Sequence, residues 1–327
     1  MKQNNFWQKL KLTGKPILVL APMAGFTDSA YRRICKYYGA DVLYSEMVSA
    51  TALYYSDRIG AQKKGKNPTR ELMDFNRRQE KYYVVQLFGS KPEHFAAATR
   101  LITDKVKPDG IDINFGCPVS KIIKQGAGAD LMKNLSQSRA VIEAVLAETN
   151  LPVSIKIRAK SGEVGALEFL KNISDLKVAA VMIHGRTLSQ GFSGLPDFKL
   201  IKAARQHFQG VIIANGGITD LESAKLALKE SGADGLGLAR GILGRPWLFK
   251  EIKKNKQINL KLSHIFKLMI NHAVSASKNK GENALIELRK HLVWYVQGLE
   301  GASKMREKLV SVTNLDDLKK IIKEYKK

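Results

Sequence analysis

From Ile17 to Gly241 the chain alternates between two patterns. Short apolar runs rich in Val and Ile, bounded by Gly or Pro, are each followed by a longer stretch with apolar residues at helical spacing. The runs at 17–22, 40–46, 83–88, 110–114, 153–158, 179–184, 211–215 and 234–238 predict eight strands alternating with helices. That order predicts an α/β fold, a (β/α)₈ TIM barrel. After Arg245-Pro246-Trp247 the alternation stops. Beyond Leu260 only helical periodicity remains, as in Ile265, Leu268, Met269 and His272, then Leu285, Leu288, Leu292 and Tyr295. A small all-helical C-terminal domain is expected there, with Gly281 and Gly301 at helix ends and Lys253-Lys254-Asn255-Lys256 as linker. The expected division is residues 1–250 for the barrel and 251–327 for the helical domain.

An open doubly wound sheet also alternates strand and helix, but its spaced-glycine fingerprint is missing. Ala21-Pro22-Met23-Ala24-Gly25 stands between the first strand and the first helix instead. Barrel enzymes build their sites at the carboxyl ends of the strands. Those ends carry Met23, Glu46, Gln86, Asn114 with Cys117, Lys156 with Arg158, His184 with Arg186, Asn215 and Arg240. The long basic connection from Ser56 to Lys81, with Arg58, Lys63, Lys64, Lys66, Arg70, Arg77 and Arg78, is expected to flank that rim.

Charge narrows the partner. Lys and Arg number 54 against 30 Asp and Glu, a formal net charge of +24 spread along the 327 residues. Such a surplus favours a polyanion through counterion release, and a lysine-rich background composition is the alternative. No run approaches the roughly 18 apolar residues of a membrane span, and the first fifteen residues lack a signal-peptide core, so a cytoplasmic, membrane-free protein is expected. The two cysteines, Cys35 and Cys117, are too few for a disulfide framework and lack zinc-site spacing. No metal is expected, and either cysteine acts as a thiol.

Two late loops suggest a phosphate site: Asn215-Gly216-Gly217 after one strand and Ala239-Arg240-Gly241 after the next. Glycines admit backbone amides to an anion, and Arg240 adds charge. A phosphate-anchored cofactor in a barrel can be FMN, with Gln86 on the pyrimidine edge of its ring and Lys156 offsetting the charge of the reduced ring. Cys117 sits in a Gly-Cys-Pro turn just after a strand. A thiol with its ordinary pKa of about 8.5 is protonated near neutrality and can act as an acid. A nucleophile activated by His184 and a buried structural thiol are the alternatives. Cys35, on the first helix, reads as packing.

At these residues the chain resembles the dihydrouridine synthases, flavin enzymes that reduce uridines of transfer RNA, and within them the bacterial B type. The matching segments include Ala21-Pro22-Met23-Ala24-Gly25-Phe26-Thr27-Asp28, Val85-Gln86-Leu87-Phe88-Gly89 and Asp112-Ile113-Asn114-Phe115-Gly116-Cys117-Pro118. They continue through Gly126-Ala127-Gly128-Ala129, His184-Gly185-Arg186-Thr187, Asn215-Gly216-Gly217-Ile218 and Gly244-Arg245-Pro246-Trp247. Leu288-Arg289-Lys290-His291-Leu292, with Trp294-Tyr295 and Gly301-Ala302, resembles the family's helical RNA-binding domain. The resemblance implies that Pro22, Met23 and Ala24 lie against FMN, that Gln86 and Lys156 hold its ring, and that His184 sits beside it. Asn215, Gly216, Gly217, Ala239 and Arg240 would bind its phosphate, and Asn114 would position the uracil. The flavin, recharged by NADPH or NADH, would pass hydride to one uracil carbon while Cys117 protonates its neighbour. Phe115, Ala239 and Gly217 depart from the usual Met, Gly and acidic residue without removing a chemical group.

A stacked uracil must be extruded into the barrel mouth, at a cost of a few kcal/mol. Arg158 and Arg186 on the rim, and Arg289, Lys290 and His291 on the tail, are the expected RNA contacts. Trp294 and Tyr295, on the same helix, could contact phosphates or stack on RNA or else pack the helical core, with core the favoured reading for Trp294. A monomer is expected, the target being tRNA with rRNA as the other candidate. A flavin barrel acting on a free metabolite would need neither tail nor charge, and a noncatalytic RNA-binding protein would need neither Cys117 nor Lys156.

Overall fold

The computed structural model describes residues 5–58, 68–281 and 283–325. Eight strands close into a parallel barrel: β1 (Ile17–Leu20), β2 (Val42–Ser49), β3 (Tyr83–Phe88), β4 (Gly110–Asn114), β5 (Val153–Arg158), β6 (Ala180–His184), β7 (Val211–Asn215) and β8 (Gly235–Leu238). Each strand pairs with its sequence neighbours, and β8 closes against β1. Four of the expected strands have the observed bounds. The second runs on to Ser49, because a bulge between Tyr44 and Met47 adds a residue relative to β3.

Successive side chains alternate between the helices outside and the barrel interior. On β4, Ile111 and Ile113 pack outward, whereas Asp112 and Asn114 enter the barrel. The interior is layered. Its bottom is apolar, with Ile17, Val19, Val42, Val84 and Ile213, and the N-terminal helix Phe6–Lys11 plugs it with Phe6 and Trp7. Above lies a polar layer of Tyr44, Gln86, Asp112 and Ser154, all buried and hydrogen-bonded. The rim above that carries the candidate chemistry.

The first barrel helix, α1 (Ser29–Tyr37), is capped by Asp28, whose side chain accepts from Tyr31 N at 2.9 Å. After the last barrel helix, α2 (Leu248–Lys254), come four tail helices: α3 (Leu262–Lys280), α4 (Ala284–Tyr295), α5 (Ala302–Leu309) and α6 (Leu315–Tyr325). Their apolar faces form a second core with Met269, Leu285, Leu288 and Leu292. Gly281 caps α3 and Gly301 opens α5, both at positive φ. The expected linker is no free tether. Lys253 and Lys254 finish α2, Asn255 caps it in the left-handed region, and buried Glu251 accepts from Ile258 N at 2.9 Å and pairs with Arg245 at 2.8 Å.

The tail docks on α1. Tyr31 packs against His272 and His291, and Arg33 donates to Ser275 Oγ at 2.6 Å and to Asn279 Oδ1 at 3.1 Å. Gly244, at φ +75°, lets the barrel backbone touch the Trp294 carbonyl, an approach that a β-carbon would block. Among the described residues no helix is long and apolar enough to cross a membrane.

Where it is described, the connection after β2 braces the back of the rim without entering the cavity: Glu80 and the Asp74 carbonyl hold Arg32 behind the loop after β1. Arg77 bonds the Lys107 carbonyl just before β4, at the opposite end of the barrel, and none of residues 68–81 lines the rim cavity. Lys63, Lys64 and Lys66 lie outside the described residues.

Candidate active site

The rim encloses a cavity of about 500 Å³. Pro22, Met23 and Ala24 form one wall, in the loop after β1. Thr27 folds that loop back: its Oγ1 accepts from Met23 N at 3.2 Å, and its N–H donates to Met23 O at 3.0 Å. Glu46, at the bulged end of the neighbouring strand β2, accepts from Gly25 N. Behind the loop, fully buried Arg32 pairs with fully buried Glu80 at 2.6 Å and donates to the Thr27 carbonyl at 2.7 Å. Removing one member of such a pair costs about 3–5 kcal/mol, because the other is left charged and alone.

Cys117 faces the cavity with 8 % of its surface exposed. Its turn hangs from Asn114, whose Oδ1 accepts from both Gly116 N at 3.0 Å and Cys117 N at 2.9 Å. Burial pushes the thiol pKa up, more than the Val119 amide, Lys156 and Arg158 pull it down. The thiol is therefore protonated at neutral pH. Burial pushes His184 down to about 2, helped by Lys156, Arg158, Arg186 and Arg240, so it stands as a neutral imidazole. A base that resists protonation this strongly does not activate a thiol, which weighs against the nucleophile reading.

Lys156, Arg158, Arg186 and Arg240 line the cavity with no Asp or Glu among the lining residues. Burial first, then Arg158, brings the Lys156 ammonium down to about 8. Arg158 is tied into the wall, donating from Nε to Gly116 O at 2.9 Å and from Nη1 to Thr187 O and Gly191 O. Arg186 donates only from Nε, to Ser193 O and Gly194 O, and its terminal nitrogens lie beside Gly216 and Gly217. Both glycines have positive φ, +110° and +70°, and a β-carbon on either would press into His184 or Pro196. Asn215 anchors this corner by donating to Gly237 O at 2.7 Å, and Arg240 stacks over Phe192 at 3.8 Å. Two open glycines, free guanidinium nitrogens and the absence of lining carboxylates together suit a phosphate, so the residues fit FMN.

The dihydrouridine synthase (Dus) family model matches residues 19–327. The chain belongs to the dihydrouridine synthase family. It is thereby an oxidoreductase, and the resemblance carried by the segments above is that of a true member. The probable tRNA-dihydrouridine synthase 1 of Synechocystis is 31% identical over 311 residues, covering 92% of this chain and 84% of its own length. The tRNA-dihydrouridine synthase B of Pasteurella multocida is 32% identical over 312 residues, covering 91% and 89%. The barrel fold is shared with the old yellow enzyme homologue of Zymomonas mobilis, with a TM-score of 0.52, 14% identity and coverage of 76% and 91%. It is also shared with histamine dehydrogenase from Rhizobium, with a TM-score of 0.53, 10% identity and coverage of 79% and 49%.

Every residue of this family member expected to hold the cofactor lines the cavity except Gln86, and so do Asn114, Arg158 and Arg186. Gln86 is fully buried one layer down, donating to Asp112 Oδ2 at 2.7 Å and accepting from Asn114 Nδ2 at 2.8 Å. Of the tail residues, Lys290 is at the mouth, its Nζ 5.5 Å from the centre of the Phe26 ring that lines the cavity. Arg289 is turned away and donates to Val312 O at 2.7 Å, joining α4 to the end of α5. His291 is buried between Phe26, Tyr31 and His272, which corrects its expected place on an RNA-facing surface. Trp294, expected in the tail core, is half-buried and lines the cavity. Phe192 was missed in the sequence, and its only local signal is a large apolar residue between Gly191 and Gly194 in the loop after β6.

Proposed function

We propose that this chain is a tRNA-dihydrouridine synthase that holds FMN in the rim cavity, takes NADPH or NADH as reductant, and protonates uracil from Cys117. The carrying observation is that Cys117, its thiol pKa raised by burial, faces the same cavity as the Gly216–Gly217 corner, where two glycines and the Arg186 guanidinium leave room for an anion. Gly216, Gly217, Ala239, Arg186 and Arg240 would hold the phosphate, Pro22, Met23 and Ala24 would support one face of the ring, and Lys156 and His184 would contact it. Bound FMN would supply the hydride that reduces the uracil 5,6-double bond.

The chain's own groups do the rest. Asn114 holds the Cys117 turn, so the thiol proton is delivered from a fixed place. Neutral His184 offers a hydrogen bond without competing for that proton. Lys156, titrating near 8, offsets negative charge developing at the cavity floor. Phe26 and Trp294 form an apolar mouth that excludes water around an extruded base. The surplus of Lys and Arg, with Lys290 at the mouth, favours the RNA that presents that base. Such a protein works as a monomer in the cytoplasm, and the helical tail after about residue 250 would orient the RNA.

Mapping dihydrouridine in total RNA from cells with and without the protein tests this reading. Loss of the modified base at defined tRNA positions is expected. Loss only in ribosomal RNA would change the substrate, and a colourless protein that FMN cannot reconstitute would overturn the cofactor assignment.

A further inference from the structure

Beneath the cavity the barrel buries a carboxylate. Asp112, midway along β4, has no exposed surface. Taking a carboxylate out of water is costly unless its oxygens are satisfied. Packing does not require one here, since the layer below is filled by Val19, Val42 and Ile213. Asp112 instead accepts from Gln86 Nε2 at 2.7 Å and Ser154 Oγ at 2.6 Å, with the Tyr44 hydroxyl at 3.4 Å.

The contacts continue upward in one direction. Gln86 Oε1 accepts from Asn114 Nδ2 at 2.8 Å, and Asn114 Oδ1 accepts from the N–H groups of Gly116 and Cys117. Backbone N–H groups only donate, and an ionised carboxylate only accepts. The two ends therefore dictate which way both side-chain amides face. We propose that Asp112 is a positioning residue for Cys117, its carboxylate orienting Gln86 and, through Asn114, fixing the turn that carries the thiol; the catalytic part of this inference rests on Cys117 being the acid. Burial raises the Asp112 pKa to about 6, which leaves the group ionised at neutral pH. Without an acceptor at position 112, Gln86 is free to rotate and set its Nε2 against Asn114 Nδ2, donor against donor.

The test uses the full-length, FMN-loaded protein and follows two readouts: alkylation of Cys117 by iodoacetamide, resolved by mass spectrometry with fully buried Cys35 as internal control, and steady-state reduction of uridine in tRNA. Asp112→Leu is expected to speed Cys117 alkylation about fivefold or more and to lower kcat about tenfold, with KM for tRNA within about twofold. Asp112→Asn, whose Oδ1 still accepts from Gln86, should restore both. Gln86→Leu cuts the same path in its middle, and combining it with Asp112→Leu should be no worse than the stronger single change. If Asp112→Leu does not fold, Gln86→Leu and Asp112→Asn carry the comparison. Wild-type alkylation and kcat in the leucine variants, or effects that multiply in the double variant, would overturn the proposal. A wild-type protein that reduces no uridine would overturn the assigned function and leave the alkylation result to decide the positioning role.

Discussion

A β-carbon on Gly216 would fall 2.6 Å from His184 Cδ2, so the imidazole occupies space that only glycine leaves open. Gly216 also has φ +110°, where other residues are strained by about 1–3 kcal/mol. Gly216→Ala is expected to displace His184, close the phosphate corner and lower FMN affinity at least about tenfold. Flavin titration followed by fluorescence quenching measures this. Wild-type affinity would remove the corner from the binding site.

Cys117→Ser should keep the protein yellow and lower uridine reduction by about 10²–10⁴-fold, because a hydroxyl is a far weaker acid than a thiol. The wild-type rate should fall as pH rises through the thiol pKa, which burial has raised, since the protonated form is the working one. A rate profile from pH 7 to 10.5 checks the sign. An upward slope would point to a thiolate nucleophile.

Stability should fall on acidification. His184 and His272 are held down to about 2 and 4, and His291 well below its ordinary value, in each case chiefly by burial. An unfolded imidazole titrates near 6.5. Depressed folded values therefore contribute stability that is complete above about pH 6.5 and lost as pH drops toward them. Asp112, raised to about 6, acts oppositely: its contribution is complete below the unfolded carboxyl pKa of about 4 and lost as pH rises through 6. Near pH 5 the histidines outnumber it, giving a net loss on the order of 3 kcal/mol per pH unit. Urea unfolding of the apoprotein at pH 7 and pH 5 measures the slope, and His272→Gln should make it shallower. A pH-independent midpoint would contradict the buried neutral state of these rings.

Lys290→Ala should weaken tRNA binding and reduce the slope of log affinity against log salt by about 0.7–0.9, the value of one phosphate contact. Its Nζ over Phe26 stands where RNA would meet the cavity. Filter binding across salt concentrations reads the slope directly, and an unchanged slope would take Lys290 out of the interface.

The strands were legible in the sequence because their signal is local. Apolar runs closed by Gly or Pro mark residues 83–88, 110–114, 153–158 and 211–215 without reference to anything distant. The rim chemistry was legible for the same reason, since every strand of a parallel barrel points its carboxyl end to one face and position in the strand gives position in the fold. Tertiary structure alone decided depth and facing. Arg289, Lys290 and His291 are consecutive, yet one joins tail helices, one reaches the mouth and one is buried. What buries His291 is Tyr31, which lies far away in the chain and meets it only where α1 docks on the tail. Gln86 and Asp112 likewise read as two unrelated polar residues on neighbouring strands. Only the register of β3 against β4, which sets Gln86 opposite Asp112, brings them together beneath Cys117, because a hydrogen bond depends on a few ångströms in space and on no fixed spacing along the chain.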